Sequence, residues 1–115
     1  MDDQSLTFRL FHRAIIERRQ VTFTYDGHRR EVCPYILGWD RNKAERVLVF
    51  QFAGGSSKRL PPGGDWKCLA LAKIRGAATR DGPWHGDAAH RTTQSCVEDV
   101  YIDVNTDVPN QPGRR

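Results

Sequence analysis

The sequence predicts a small, mainly β (α+β) protein: a β-barrel capped by one N-terminal amphipathic helix and trailed by an irregular C-terminal extension. Three observations carry that expectation. Apolar residues recur at helical spacing at the start of the chain, the spacing changes to alternation from residue 20, and short strand-like runs are then punctuated by Gly, Pro and Asp. A chain of 115 residues has room for one core and not two. Its short strands must therefore close on themselves or pack against the helix to avoid exposed edges.

Residues 5–19 are the helix. Leu10, Phe11, Ala14 and Ile15 form one stripe, Asp2, Asp3 and Ser5 stand at the entry where unpaired N–H groups favour acceptors, and Arg18 and Arg19 stand at the exit. In residues 20–25, Val21, Phe23 and Tyr25 alternate with Gln20, Thr22 and Thr24, which is strand patterning. Asp26-Gly27 suits a two-residue type I′ turn, so a hairpin is expected across residues 20–33. Pro34 cannot donate to a ladder and marks an edge or a strand end.

Residues 35–39 begin a further extended piece. A polar turn at 40–45 leads to residues 46–53, whose β-branched and aromatic run is the best central strand. Residues 54–65 form a loop, with four Gly, two Pro and two Ser in twelve positions. Residues 66–74 read as one strand, with Trp66, Cys68, Ala70 and Ala72 on one face and Lys67, Leu69, Leu71 and Lys73 on the other. Residues 76–95 lack periodicity and are expected to be irregular. Val100, Ile102 and Val104 restore alternation in a final strand, and residues 105–115 are expected to be disordered.

Charge is unevenly spread. Residues 1–76 hold 14 Lys and Arg against 8 Asp and Glu, whereas residues 77–115 hold 4 against 6. A positive field over the fold-forming part favours phosphate-bearing partners. Cys33, Cys68 and Cys96 are odd in number and widely spaced, which argues against a disulfide scaffold and for reduced thiols in a cytoplasmic protein. No signal peptide or membrane span is visible.

The order of parts resembles the WYL family. That resemblance rests on Ala14-Ile15-Ile16-Glu17-Arg18 at the helix end, on Val21-Thr22-Phe23-Thr24-Tyr25, on the basic strand Arg29-Arg30-Glu31-Val32-Cys33-Pro34, and on Ala70-Leu71-Ala72-Lys73-Ile74. The naming triplet falls at Arg46-Val47-Leu48, where Leu48 alone is kept, and Ala70 and Ala72 replace polar residues of the closing strand. The resemblance covers residues 6–76 and implies an Sm/SH3-like barrel for the domain at 1–76; the residue patterns add an extension at 77–104 carrying the final strand and a tail at 105–115. The resemblance also implies a ligand-sensing module of bacterial transcription regulators, binding a nucleotide or single-stranded nucleic acid through a basic surface. Residues 1–115 leave no room for a helix-turn-helix domain, so any regulation is expected to run through a partner or as an isolated module.

The candidate binding residues are Arg29, Arg30, Arg46, Lys58, Arg59, Lys67 and Lys73, since anion binding needs several cations converging on one place, with Arg favoured for its bidentate fork. The competing reading is an ordinary solvated face. Among Tyr25, Tyr35, Trp39 and Trp66, Trp39 is the best base-stacking candidate, because a polar turn follows it, while Tyr25 and Trp66 suit a core. His85, His90 and Cys96, with His28, lack the close pairs of a zinc site, so no metal or cofactor is expected. No nucleophile signature surrounds any cysteine, no carboxylates are convincingly paired, and the Gly-rich loop lacks P-loop order, so no catalytic residues are expected. The alternative to nucleic-acid binding is a protein-interaction or homodimerisation module using a strand edge or the helix face.

Overall fold

The first turn of the chain is set by Ser5, whose hydroxyl accepts the N–H of Phe8 at 3.0 Å and starts α1 (Leu6–Glu17) in the computed structural model, which describes residues 5–56, 60–86 and 96–104. The helix ends at Arg18, which adopts a left-handed conformation (φ 55°) while the N–H groups of Arg18 and Arg19 close onto Ile15 and Ala14. Phe8, Phe11, Ala14 and Ile15 are its buried face. Phe11, Ala14 and Ile15 hold the expected stripe, whereas Leu10 is only half-buried at its margin and Phe8 is the fourth buried residue.

Six strands follow: β1 (Gln20–Tyr25), β2 (His28–Trp39), β3 (Glu45–Gly54), β4 (Asp65–Ala70), β5 (Arg75–Arg80) and β6 (Asp99–Asp103). They form one antiparallel sheet in the order β4-β3-β2-β1-β5, with β6 also paired to β2. The hairpin turns at Asp26-Gly27 with φ values of 53° and 79°, as a type I′ turn requires. β2 does not end at Pro34. Its first half pairs with β1 as far as Val32 and its second half with β6 from Ile36, so Pro34 falls where that edge changes neighbour and its missing N–H interrupts nothing. Gly38 makes the second pairing possible, because a Cβ there would lie 2.1 Å from the Asp99 carbonyl oxygen.

Two strand expectations are corrected. The run at 66–74 breaks at Ala70, after which Leu71–Lys73 form a 3-10 turn that carries the chain to the far edge of β1. Residues 75–80 are a strand although expected to be irregular. The side chains of β5 are mostly exposed, so its place comes from backbone pairing with β1 and leaves no apolar alternation to read.

One face of the sheet receives α1. Phe11 meets Phe23 edge-on at 6.0 Å, and Phe8 stacks on Trp39 at 5.1 Å, over a core that includes Val21, Val32, Leu37 and Val47. The opposite face carries a second aromatic cluster, Tyr35, Phe50 and Trp66 with Trp84 from the segment after β5. The two ends of the strand order, β4 and β5, are not joined by a ladder, so the sheet is not a closed barrel. The helix supplies the cover over the apolar face that strand closure would otherwise provide. Among the described residues, no helix is long and apolar enough to cross a membrane.

Cys68 and Cys96 are paired as a disulfide, with Cα atoms 6.3 Å apart, which corrects the expectation of reduced thiols. Disulfides are rare in reducing cytosol, so the cysteines no longer argue for a cytoplasmic site. The bond ties β4 to the segment that leads into β6 across a sequence separation of 28 residues. Closing a loop of that length stabilises the fold by roughly 3 kcal/mol. Reduction should therefore lower the denaturant midpoint by an amount corresponding to that figure. A double Cys68→Ser, Cys96→Ser variant should unfold at the lowered midpoint whether or not reductant is present.

Candidate anion-binding site

Partners in an antiparallel ladder share a face, and the register decides which of the candidate cations meet. Phe23 lies opposite Arg30, Val32 opposite Gln51, and Val49 opposite Lys67. Tyr25, Arg30, Gln51 and Lys67 therefore lie on the helix-covered face, one from each of β1 to β4, at the end of the sheet beyond α1. An irregularity between Glu31 and Val32 gives β3 one extra residue and brings Gly54 opposite Arg30. Gly54 has φ 98°, and a Cβ on it would come within 2.3 Å of the Arg29 carbonyl oxygen, so only glycine lets β3 fold over β2 at this point.

Arg30 is 3% exposed. Its guanidinium donates to Gln51 Oε1 at 3.3 Å and to the Tyr25 carbonyl at 3.2 Å, and its Nε–H has no partner among the described residues. Among the described residues it has no carboxylate partner. Asp65, which faces Gln51 across the ladder, turns its carboxylate onto the N–H of Trp66 instead. The fully buried Gln51 is held by donation to the carbonyls of Ala53 and Gly55, which fixes the oxygen it offers to Arg30.

Lys73 comes to the same place from the 3-10 turn. Its Nζ lies 5.2 Å from the centre of the Tyr25 ring, whose other cationic neighbour is the Arg30 guanidinium at 5.1 Å. The Tyr25 hydroxyl accepts the N–H of Ala70, which holds the ring still. Lys73 also pairs with Asp26 at 3.3 Å, in an exposed contact of small energetic weight. Lys67 donates to Ser56 Oγ at 3.3 Å, in the first residues of the Gly-rich loop.

The remaining candidates do not join this group. Arg29 alternates to the other face and donates to Thr22. Arg46 sits at the opposite end of β3 and pairs with Asp40 at 3.0 Å. Trp39 is at that same far end, half-buried between Phe8 and Tyr101, which is a packing position. Lys58, Arg59 and His90 lie outside the described residues. Gln51 was not among the sequence candidates, because nothing in a run of strand residues marks one polar position as buried.

Two cysteines have surroundings that bear on their chemistry. Cys96 is bonded to Cys68, so its sulfur is not a free ligand. Burial pushes the Cys33 thiol up, against the opposing N–H of His85 and the charge of Arg80, which keeps it a neutral packing residue.

Compared with known protein families, with curated proteins and with solved structures, the chain matches none.

A buried cation without a counter-charge costs several kcal/mol of desolvation, of which two neutral acceptors and an aromatic face return only part. Arg30→Met should therefore leave the unfolding free energy within about 1 kcal/mol of the parent or raise it. A loss of roughly 3 kcal/mol or more, the usual result of breaking a compensated pair, would show Arg30 to be a structural keystone.

At the other end, the N–H of Ala44 and then the Arg46 side chain hold the Asp40 carboxyl below its ordinary value of 3.8. A carboxylate lowered on folding contributes stability above its unfolded pKa and loses it as the pH falls toward the lowered value. Acid titration of Asp40→Asn should therefore show a shallower loss of stability below about pH 4 than the parent.

Proposed function

We propose that this chain is a non-enzymatic, ligand-sensing module that binds a nucleotide or single-stranded nucleic acid through the cationic end of its sheet. The observation that carries the reading is Arg30: a residue 3% exposed that has, among the described residues, neither a partner for its Nε–H nor a carboxylate. Lys73 shares the Tyr25 ring with Arg30, and Lys67 lies on the same face of the sheet across β3, which supplies further positive charge to the reading. The finer fold reading belongs to the same proposal. A leading helix, the strand order β4-β3-β2-β1-β5 and a short 3-10 turn between β4 and β5 support an Sm/SH3-like, WYL-type module.

A second reading has its own support. Val100 and Tyr101 of β6 are each 43% exposed, and β6 is an edge strand, which suits a protein partner or a second copy.

Fluorescence anisotropy with a short labelled single strand separates the two. At low salt the protein should bind, and affinity should fall steeply as salt rises. Lys67→Gln and Lys73→Gln should each weaken binding and reduce the salt slope by about one, whereas Arg46→Gln at the far end should leave both unchanged. Absence of binding at low salt would dismiss nucleic acid and leave a small anionic ligand or the edge-strand reading.

A further inference from the structure

We infer that the group seated at Arg30 is a terminal phosphate, a phosphomonoester at the end of a nucleotide or strand, and that the base is not read there. The inference deepens the binding reading above and rests on it.

The first argument is steric. Arg30 is 3% exposed, so its guanidinium cannot be approached broadside. An internal phosphodiester carries a sugar on both sides and would have to lie along a groove that exposes the cation. A terminal phosphate has one ester bond and three free oxygens, so it can enter end-on. The backbone beside Arg30 is slim, because Gly54 and Gly55 have no side chains and are pinned to β2 by the Gly55 N–H on the Arg29 carbonyl at 2.8 Å.

The second argument is charge. A phosphomonoester carries a charge of roughly −1.5 to −2 at pH 7, whereas a diester carries one. Arg30 has no carboxylate partner among the described residues and shares the Tyr25 ring with Lys73, so a doubly charged monoester suits this place better than a diester. Arg30 also retains the donors for it. Five N–H groups are available on a guanidinium, two are used by Gln51 and Tyr25, and the unpartnered Nε–H completes a side-on fork that fits two phosphate oxygens.

The third argument concerns aromatics. Base readout on a single strand needs a ring face beside the cations. The ring that is beside them, Tyr25, is flanked by Arg30 and Lys73 and is itself 8% exposed. Tyr35 and Trp66 pack against each other on the opposite face, and Trp39 packs on Phe8 at the other end. Recognition at this end is therefore led by phosphate and indifferent to sequence.

The test compares, on the unaltered protein, one oligonucleotide with a 5′-phosphate, with a 3′-phosphate and with hydroxyl ends, together with a longer hydroxyl-ended strand matched in total charge. At least one phosphorylated form should bind about tenfold more tightly than the charge-matched strand, and changing the base sequence should not alter that ratio. A nucleoside monophosphate should displace the labelled strand. Inorganic phosphate displacing it equally well would place recognition in the phosphate alone, which also supports the inference. Arg30→Lys keeps the charge and loses the fork, so it should abolish the preference while retaining salt-dependent binding.

Equal affinity for phosphorylated and charge-matched strands would overturn the inference and leave the binding reading intact. A preference that survives in a folded Arg30→Lys would overturn the assignment to Arg30. Failure of every strand to bind at low salt would remove the reading on which the inference rests. The comparison on the unaltered protein decides the matter even if the variant does not fold.

Discussion

β2 is long enough to have two different neighbours on one edge, and the rest of the architecture follows from where it changes between them. Along its other edge it pairs with β3 throughout, with register irregularities after Glu31 and after Pro34. On the near edge β1 covers the stretch up to Val32 and β6 the stretch from Ile36. A proline in the middle of a doubly paired strand would leave a ladder acceptor without a donor. Here it stands in the gap between two partners. The same strand carries Arg30 toward one end and Trp39 at the other, so the cationic group and the aromatic group of Phe8, Trp39 and Tyr101 are separated by the length of the strand and cannot act on one ligand.

Much of this was legible in the residues. The helix, the Asp26-Gly27 hairpin and the central strand at 45–54 each announce themselves by periodicity or turn chemistry, because their side chains are buried on one face and alternate or repeat accordingly. β5 was hidden because its partner is the backbone of β1 and its own side chains face water. The break after Ala70 was hidden because Leu71 and Ile74 remain buried on either side of the turn, which looks like a continued strand. Cys68 and Cys96 could not be matched from sequence, since the pairing depends on how the segment leading into β6 returns to β4.

The site was legible in kind and not in arrangement. Residue type alone nominated the cations, but alternation sends Arg29 and Arg30 to opposite faces, and an extra residue in β3 decides what Arg30 faces. A register one residue different would have buried Arg29 against the apolar face and left Arg30 outside. The bulge and Gly54 are therefore as much part of the site as the charges. They explain why a stretch that reads only as a basic strand contains one solvated arginine and one enclosed arginine.

The energetic contrast between the cations gives the last step. Arg19, Arg41, Arg46, Lys73 and Arg80 are paired with carboxylates at or near the surface, where each pair contributes little and removal would change little. Among the described residues Arg30 is hydrogen-bonded to neutral groups only, and a buried charge without a counter-charge opposes folding. A sequence under no constraint but stability would place an apolar residue among Phe23, Val32 and Val49 at that position. Local destabilisation of this kind is the expected signature of a group held ready for something outside the fold. Binding of an anion would convert the unfavourable charge into a favourable pair, so occupancy and stability would rise together.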